Sequence, residues 1–190
     1  MAEQKDFILD LPEFAKHVAI LDFLQSWHRW RGDGLLPKRA AIKLSDMPEL
    51  MRGAMMLDAF APERMIFRFA GSLYHDMYGF EFEGLNYLDI TEPEVRAIRA
   101  KRLWGVVSQP AIAVWTAPGA EGVNFVGASV PLLPDDPTHP RKIMQVLVAL
   151  KDMAGVSKEA WNTRRDNVVF SPHFRYLDIG AGKPDNGAEA

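Results

Sequence analysis

Three apolar runs near the middle of the chain leave few architectures open. "AIAVWTA" (111–117), "VNFVGASVPLL" (123–133) and "KIMQVLVAL" (142–150) each read as a strand, and short connectors join them. "PGAEG" suits a hairpin, and "PDDPTHPR" carries three prolines. Consecutive strands so joined form an antiparallel meander. The last run is apolar on both faces, as in a central strand covered on both sides. Upstream, "AMMLDAF" (54–60) and "MIFRF" (65–69) read as a second hairpin around "APER". Between the two strand groups, "SLYHDMY" gives one or two helical turns closed by Gly79, and Pro93 to about Ser108 forms a longer amphipathic helix. The order helix, β, β, short helices, helix, β, β, β predicts an α+β fold. Its five-stranded antiparallel sheet has the helical segment on one face and an N-terminal helix on the other.

That first helix is predicted from about Pro12 to Trp30, with "RGDG" at 31–34 ending it. Three helix starts share the capping-box spacing: Asp10 with Glu13, Asp46 with Glu49, and Thr91 with Glu94, each with a proline in the first turn. A short helix is expected around Ser157 to Thr163. "IGAGKPDNGAEA" reads as a disordered tail. The predicted organisation is a helix and arm over 1–36, the sheet domain over 37–152, and a C-terminal extension with that tail over 153–190.

Composition narrows the function classes. The absence of cysteine removes disulfides, thiol nucleophiles, Cys-ligated zinc and iron–sulfur clusters, and fits a reducing, cytoplasmic setting. A net charge of -3 gives no nucleic-acid footprint, and no apolar run reaches the ~20 residues of a membrane span. No signal peptide is visible at the start. Eleven Phe and five Trp point to an aromatic core or cavity wall.

The glycines in "FRFAGSLYHDMYGFEFEGLNYLDI" (67–90) are spaced by eight and five positions, which fits neither dinucleotide nor Walker loops. They read as punctuation: Gly71 turns strand into helix, Gly79 stops the helix and Gly84 allows a second turn. His75 and Asp76 are adjacent on a helix and diverge by about 100°, so they do not converge on one ion.

Trp30, Gly34, Pro37-Lys38-Arg39, Leu57-Asp58, Phe67-Arg68-Phe69, Gly71-Ser72, Gly79 and Gly84, together with the element order, resemble the PAS domain, a small bacterial sensor fold. The closer resemblance is to a stand-alone bacterial PAS-like family formerly listed as a domain of unknown function. It covers roughly residues 25–150, and departs from the family pattern at Ala40-Ala41, where a polar residue is usual. The resemblance implies a sensory or regulatory role without enzymatic activity. Among PAS cofactors, haem through His75 and non-covalent flavin stay open, while a cysteinyl flavin adduct does not.

A pocket between sheet and helices is the candidate site. Leu73, Met77, Tyr78, Leu88 and Trp104 would come from the helical side, and Phe67, Phe69, Val114 and Phe125 from strands. The same side chains could equally be plain core. Asp58 and Arg68 interrupt apolar strands and should meet across adjacent strands. Either they form a register-setting ion pair, or Arg68 offers its guanidinium to an anionic ligand while Asp58 orients it. Arg96, Arg99, Lys101 and Arg102 read as a solvated helix face or as a local surface for nucleic acid or an acidic partner. Phe14, Ile20, Phe23, Trp27 and Trp30 could form a homodimer or signalling-partner surface. Three functions compete: a ligand- or partner-binding sensor, a ligand-free interaction scaffold, and a small isomerase or hydrolase using Asp58 or Asp76. No nucleophile–base pairing supports the last.

Overall fold

The computed structural model describes residues 7–151, 153, 156, 160 and 173–190. The strands are β1 (Ala54–Ala61), β2 (Arg64–Ala70), β3 (Ala111–Pro118), β4 (Asn124–Leu132), β5 (Arg141–Ala149) and β6 (Phe174–Asp178). The helices are α1 (Val18–Arg31), α2 (Ser72–Tyr78) and α3 (Pro93–Ser108). These strands form one antiparallel sheet in the order β2-β1-β5-β4-β3-β6. The five expected strands are present, and β6, from the C-terminal extension, adds a sixth against β3. Apart from Ala160, the helix expected over 157–163 lies outside the described residues.

Strand alternation divides the core between the two sheet faces. On one face, Met56, Val114, Val126, Ala128, Val130, Met144 and Val146 pack with Ile20, Phe23, Leu24 and Trp27 of α1. On the other, Met55, Leu57, Ala113, Phe125, Ile143 and Leu147 pack with Leu73, Met77, Leu103, Val106 and Val107 of α2 and α3. The α1 face is closed at its centre. Trp27 is fully buried, and its indole N–H donates to the Pro131 carbonyl at 3.1 Å.

Helix α1 begins later than its spacing suggests. Glu13–Ala15 form a separate 3-10 turn with Pro12 at its N-cap and no side-chain cap. His17 Nδ1 then caps α1 by accepting from the Ala19 amide. The capping boxes expected at Asp46 and Thr91 do not form. Asp46 accepts from the Trp30 indole N–H, and the Thr91 hydroxyl donates to the Tyr87 carbonyl, so both side chains are engaged elsewhere. Neither helix start beside them has a side-chain cap.

Of the punctuating glycines, Gly79 behaves as expected, with φ 76° and its N–H on the His75 carbonyl. Gly71 has ordinary φ, -71°. It is required by close approach: a Cβ there would sit 2.2 Å from the Met51 carbonyl oxygen and 2.3 Å from that of Arg52. The segment after Gly79 is also more ordered than its composition suggests. Backbone bonds from Gly84 to Phe67, Phe67 to Leu85 and Tyr87 to Met65 lay it along the outer edge of β2. Asn86 locks it there, accepting from the Met65 amide and donating to the Glu63 carbonyl. The segment covers an open sheet edge and brings Phe82 and Tyr87 over the second face.

The disordered tail expected at the C-terminus is corrected. Residues 179–190 lie against α3 and β6. Phe174 and Ala190 exchange backbone hydrogen bonds, Ala188 is buried, and its carbonyl accepts from Arg102 Nε at 3.0 Å. Gly- and Ala-rich composition signals loop, but this loop has buried partners. No helix among the described residues is long and apolar enough to cross a membrane.

Candidate functional site

A cavity of about 150 Å³ lies between the second sheet face and α2, α3 and the 80–91 segment. Its walls are mostly apolar and aromatic. Met55, Phe67, Phe82, Phe125 and Leu147 line it together with Met77, Tyr78 and Leu103. Its floor is polar at one place. Ser129 and Gln145 are directly opposed on β4 and β5, and both line the cavity. The Ser129 hydroxyl donates to Gln145 Oε1 at 2.9 Å and accepts from the Trp115 indole N–H at 3.3 Å. Trp115 can lie across its neighbour because that neighbour is Gly127. A Cβ there would fall 2.3 Å from the indole ring.

Tyr74 closes the network from α2. Its hydroxyl donates to the Gly53 carbonyl at 3.2 Å and stands beside the Gln145 side chain. Burial drives its pKa well above the ordinary phenol value; the Gln145 hydrogen bond opposes this, and Tyr87 and Tyr78 add to it. A hydrogen-bonded polar cluster inside an apolar chamber suits recognition of a ligand's polar edge.

Two arginines border the same cavity from α3. Arg99 ion-pairs with Glu92 at 3.4 Å and contacts Tyr87. Burial lowers its pKa, but Tyr87, Glu92 and Tyr78 outweigh that effect and leave it above the ordinary value. Arg102 is 7% exposed, with its guanidinium carbon 4.3 Å from the Phe174 ring centroid. Burial lowers its pKa to about 10, so it remains a cation at neutral pH.

The expected site residues divide by face. Phe67, Met77, Tyr78 and Phe125 line the cavity. Leu73 is buried in the same helical layer without reaching the lining. Leu88 and Trp104 turn to an outer groove on α3. Phe69 and Val114 pack on the opposite face, toward α1. Val114 falls there by simple alternation, with Ala113 and Trp115 as the cavity positions.

Phe69 falls there because of a β-bulge. Met56 pairs with Phe69 and Leu57 with Phe67, leaving Arg68 as the extra residue. Phe67 and Phe69 therefore point to opposite faces although two positions apart.

Asp58 and Arg68 do meet, with Arg68 Nε 2.7 Å from Asp58 Oδ2. A second cation, Lys142, binds the other Asp58 oxygen. Asp58 is 4% exposed, and none of the three lines the cavity, so the ion-pair reading describes the site. The ligand reading of Arg68 is corrected: the bulge keeps it on the α1 side. The acids considered for catalysis are engaged outside the cavity as well, Asp58 in this cluster and Asp76 on Arg52 at 2.9 Å.

The basic helix face is corrected in part: Arg96 and Lys101 are exposed at the outer groove as expected, whereas Arg99 and Arg102 turn inward. Ala97, Ala100 and Trp104 line the outer groove, and the inward stripe is Val95, Arg99, Arg102 and Val106. The two inward guanidinium groups find partners there, Glu92 for Arg99 and the Ala188 carbonyl with the Phe174 ring for Arg102, as buried charges require. The expected partner surface is largely consumed by the fold. Ile20, Phe23 and Trp27 are fully buried against the sheet, and Phe14 and Trp30 are half-buried beside them.

The cavity residues do not fit either cofactor left open by the sequence. His75 is exposed beside Glu81 at 3.4 Å, and no histidine among the described residues lines the cavity to ligate haem. An engineered cavity of about 150 Å³ holds benzene, and a flavin has three fused rings.

Ser129, Gln145 and Trp115 escape a reading of the sequence. A signal is available, since Ser129 and Gln145 interrupt apolar strands just as Asp58 does.

An antiparallel sheet with one face closed by α1 and the N-terminal segments beside it, and the other roofed by α2, α3 and the 80–91 segment over a chamber, defines a class of small sensor fold. Residues 15–147 match the family described as PAS domain, and the chain belongs to that family. No curated protein matches it. Among solved structures it is similar to that of a variant of RsLOV, at 15% identity and a TM-score of 0.32, over 74% of this chain and 73% of that one.

Proposed function

We propose that this PAS domain is a sensory or regulatory module whose cavity takes a small organic molecule of about one ring, and whose output passes through association with a signalling partner. The observation that carries the reading is the Trp115–Ser129–Gln145 network on the cavity floor. A side-chain trio built only for packing would be apolar, because burying an amide and a hydroxyl costs stability unless they are paired. Here they are paired with one another and still face open space.

The experiment is native mass spectrometry of freshly prepared protein, alongside the variant Ala113→Ile. Ala113 lines the cavity on β3, opposite Ser129, and is 1% exposed. A co-purifying small molecule present in the native chain and absent from the folded variant supports the reading. No bound mass in repeated preparations, and no thermal shift of the native chain with a library of single-ring compounds, overturns it in favour of a ligand-free scaffold.

A further inference from the structure

We propose that the cavity selects an anionic ligand, a small single-ring or comparably compact carboxylate whose charge is met by Arg99 and Arg102. The inference rests on the small-molecule reading above and adds a charge class to it. Both arginines line the chamber, while among the described residues no aspartate, glutamate, lysine or histidine does. The lining therefore carries two formal positive charges and no formal negative charge.

Charged groups bordering a low-dielectric chamber act on a ligand with little solvent screening. The neighbouring carboxylate, Glu92, reaches Arg99 at 3.4 Å but does not line the cavity. Arg102 is held at the wall by its Nε on the Ala188 carbonyl and by the face of Phe174. Both arginines are thus positioned before a ligand arrives. An incoming carboxylate gains charge-assisted hydrogen bonds that a neutral group of the same shape does not.

The other end of the chamber sorts ligands in a different way. Ser129, Gln145 and Trp115 offer neutral donors and acceptors, and Phe67, Phe82 and Leu147 offer apolar wall. A ligand that satisfies all three surfaces has a ring or branched apolar body with a carboxylate at one end. The chamber volume of about 150 Å³ limits it to roughly the size of one ring with a single substituent.

Three isosteres test the claim directly: benzoate, benzamide and benzamidine, which are anionic, neutral and cationic at pH 7. Binding to the full chain is measured by calorimetry. Benzoate should bind at least about tenfold more tightly than benzamide, since hydrogen bonds to a charged group exceed neutral ones by that much. Benzamidine should bind more weakly than either. Arg99→Met should bring benzoate close to benzamide and leave benzamide unchanged, and Arg99→Lys should recover part of the difference. Arg99→Met also takes the ion-pair partner from Glu92, so thermal melting checks that each variant is folded, and the double variant Arg99→Met with Glu92→Gln removes the stranded carboxylate. Equal binding of benzoate and benzamide overturns the charge selectivity while leaving a ligand-binding module. Preference for benzamidine does the same. Failure of all three to bind, in a chain that nonetheless co-purifies with a neutral compound, again overturns only the charge class. Failure of all three with no co-purifying mass overturns both readings.

Discussion

The two faces of the sheet use the same kinds of residue to opposite ends. On the α1 face, β-strand side chains alternate into a helix whose Ile20, Phe23, Leu24 and Trp27 are all fully buried. On the other face, α2, α3 and the 80–91 segment span the sheet without filling the space above Ser129 and Gln145. One face is built for stability, and the other gives up contacts. Dispersion attraction is lost along every unfilled wall, so a cavity lined by Phe67, Phe82 and Leu147 is stability forgone. Helix length does not make the difference, since α3 has 16 residues and α1 has 14. On the α1 face Phe7, Leu11, Ala15, Leu36 and Leu50 fill the space around the helix, whereas the chamber side leaves its space open.

The asymmetry is tested most sharply at Trp27. Trp27→Ala removes the largest fully buried side chain among the described residues and takes the indole donor from the Pro131 carbonyl. It should cost about 3–5 kcal/mol, read as a fall in urea midpoint with unchanged slope. On the other face, Ser129→Ala should cost about 1–3 kcal/mol, because Gln145 and the Trp115 indole both lose this partner. The same variant should weaken any cavity ligand, which truncation at Trp27 does not do in the fraction that remains folded. Ala113→Ile, which enlarges a side chain into the chamber, should change stability by less than about 1.5 kcal/mol in either direction, and thermal melting measures this. Placed on the packed face, the same enlargement at Ala128 should unfold or strain the sheet. Equal penalties at the two positions would show that the chamber is filled in solution.

A further effect is confined to alkaline pH. Burial raises the Tyr176 pKa to about 12, against an ordinary value of 10.0. The folded state then holds a proton that the unfolded chain releases. Its stabilising share is complete below about pH 10 and disappears as pH rises through about 12. The stability difference between the native chain and Tyr176→Phe should therefore shrink over that window and stay flat below it. Tyr176 donates to the Arg102 carbonyl at 2.8 Å, so the measurement also reports on the tail that α3 holds.

Much of this architecture is legible in the residues alone. Strand runs appear where alternating or continuous apolar residues meet turn chemistry, as in 142–150. The α3 bounds follow from its proline and its length. The site is legible only in part. Phe67, Met77, Tyr78 and Phe125 stand out by their aromatic or flexible character, and all four line the chamber. Phe69 is not separable from Phe67, because a bulge at Arg68 leaves no composition signal. Arg102 looks solvated because its partners, Ala188 and Phe174, lie more than seventy positions away in sequence.

The order of amino acids settles local matters: which segments are strands or helices, where they stop, and that two strand groups return antiparallel. Short-range forces make those choices, through periodicity, turn geometry and glycine or proline at a few positions. Three outcomes needed the assembled molecule: which face each strand residue joins after the bulge, the inward turn of the α3 arginines, and the packing of residues 179–190. They depend on contacts between segments far apart in the chain, where burial and pairing outweigh local preference.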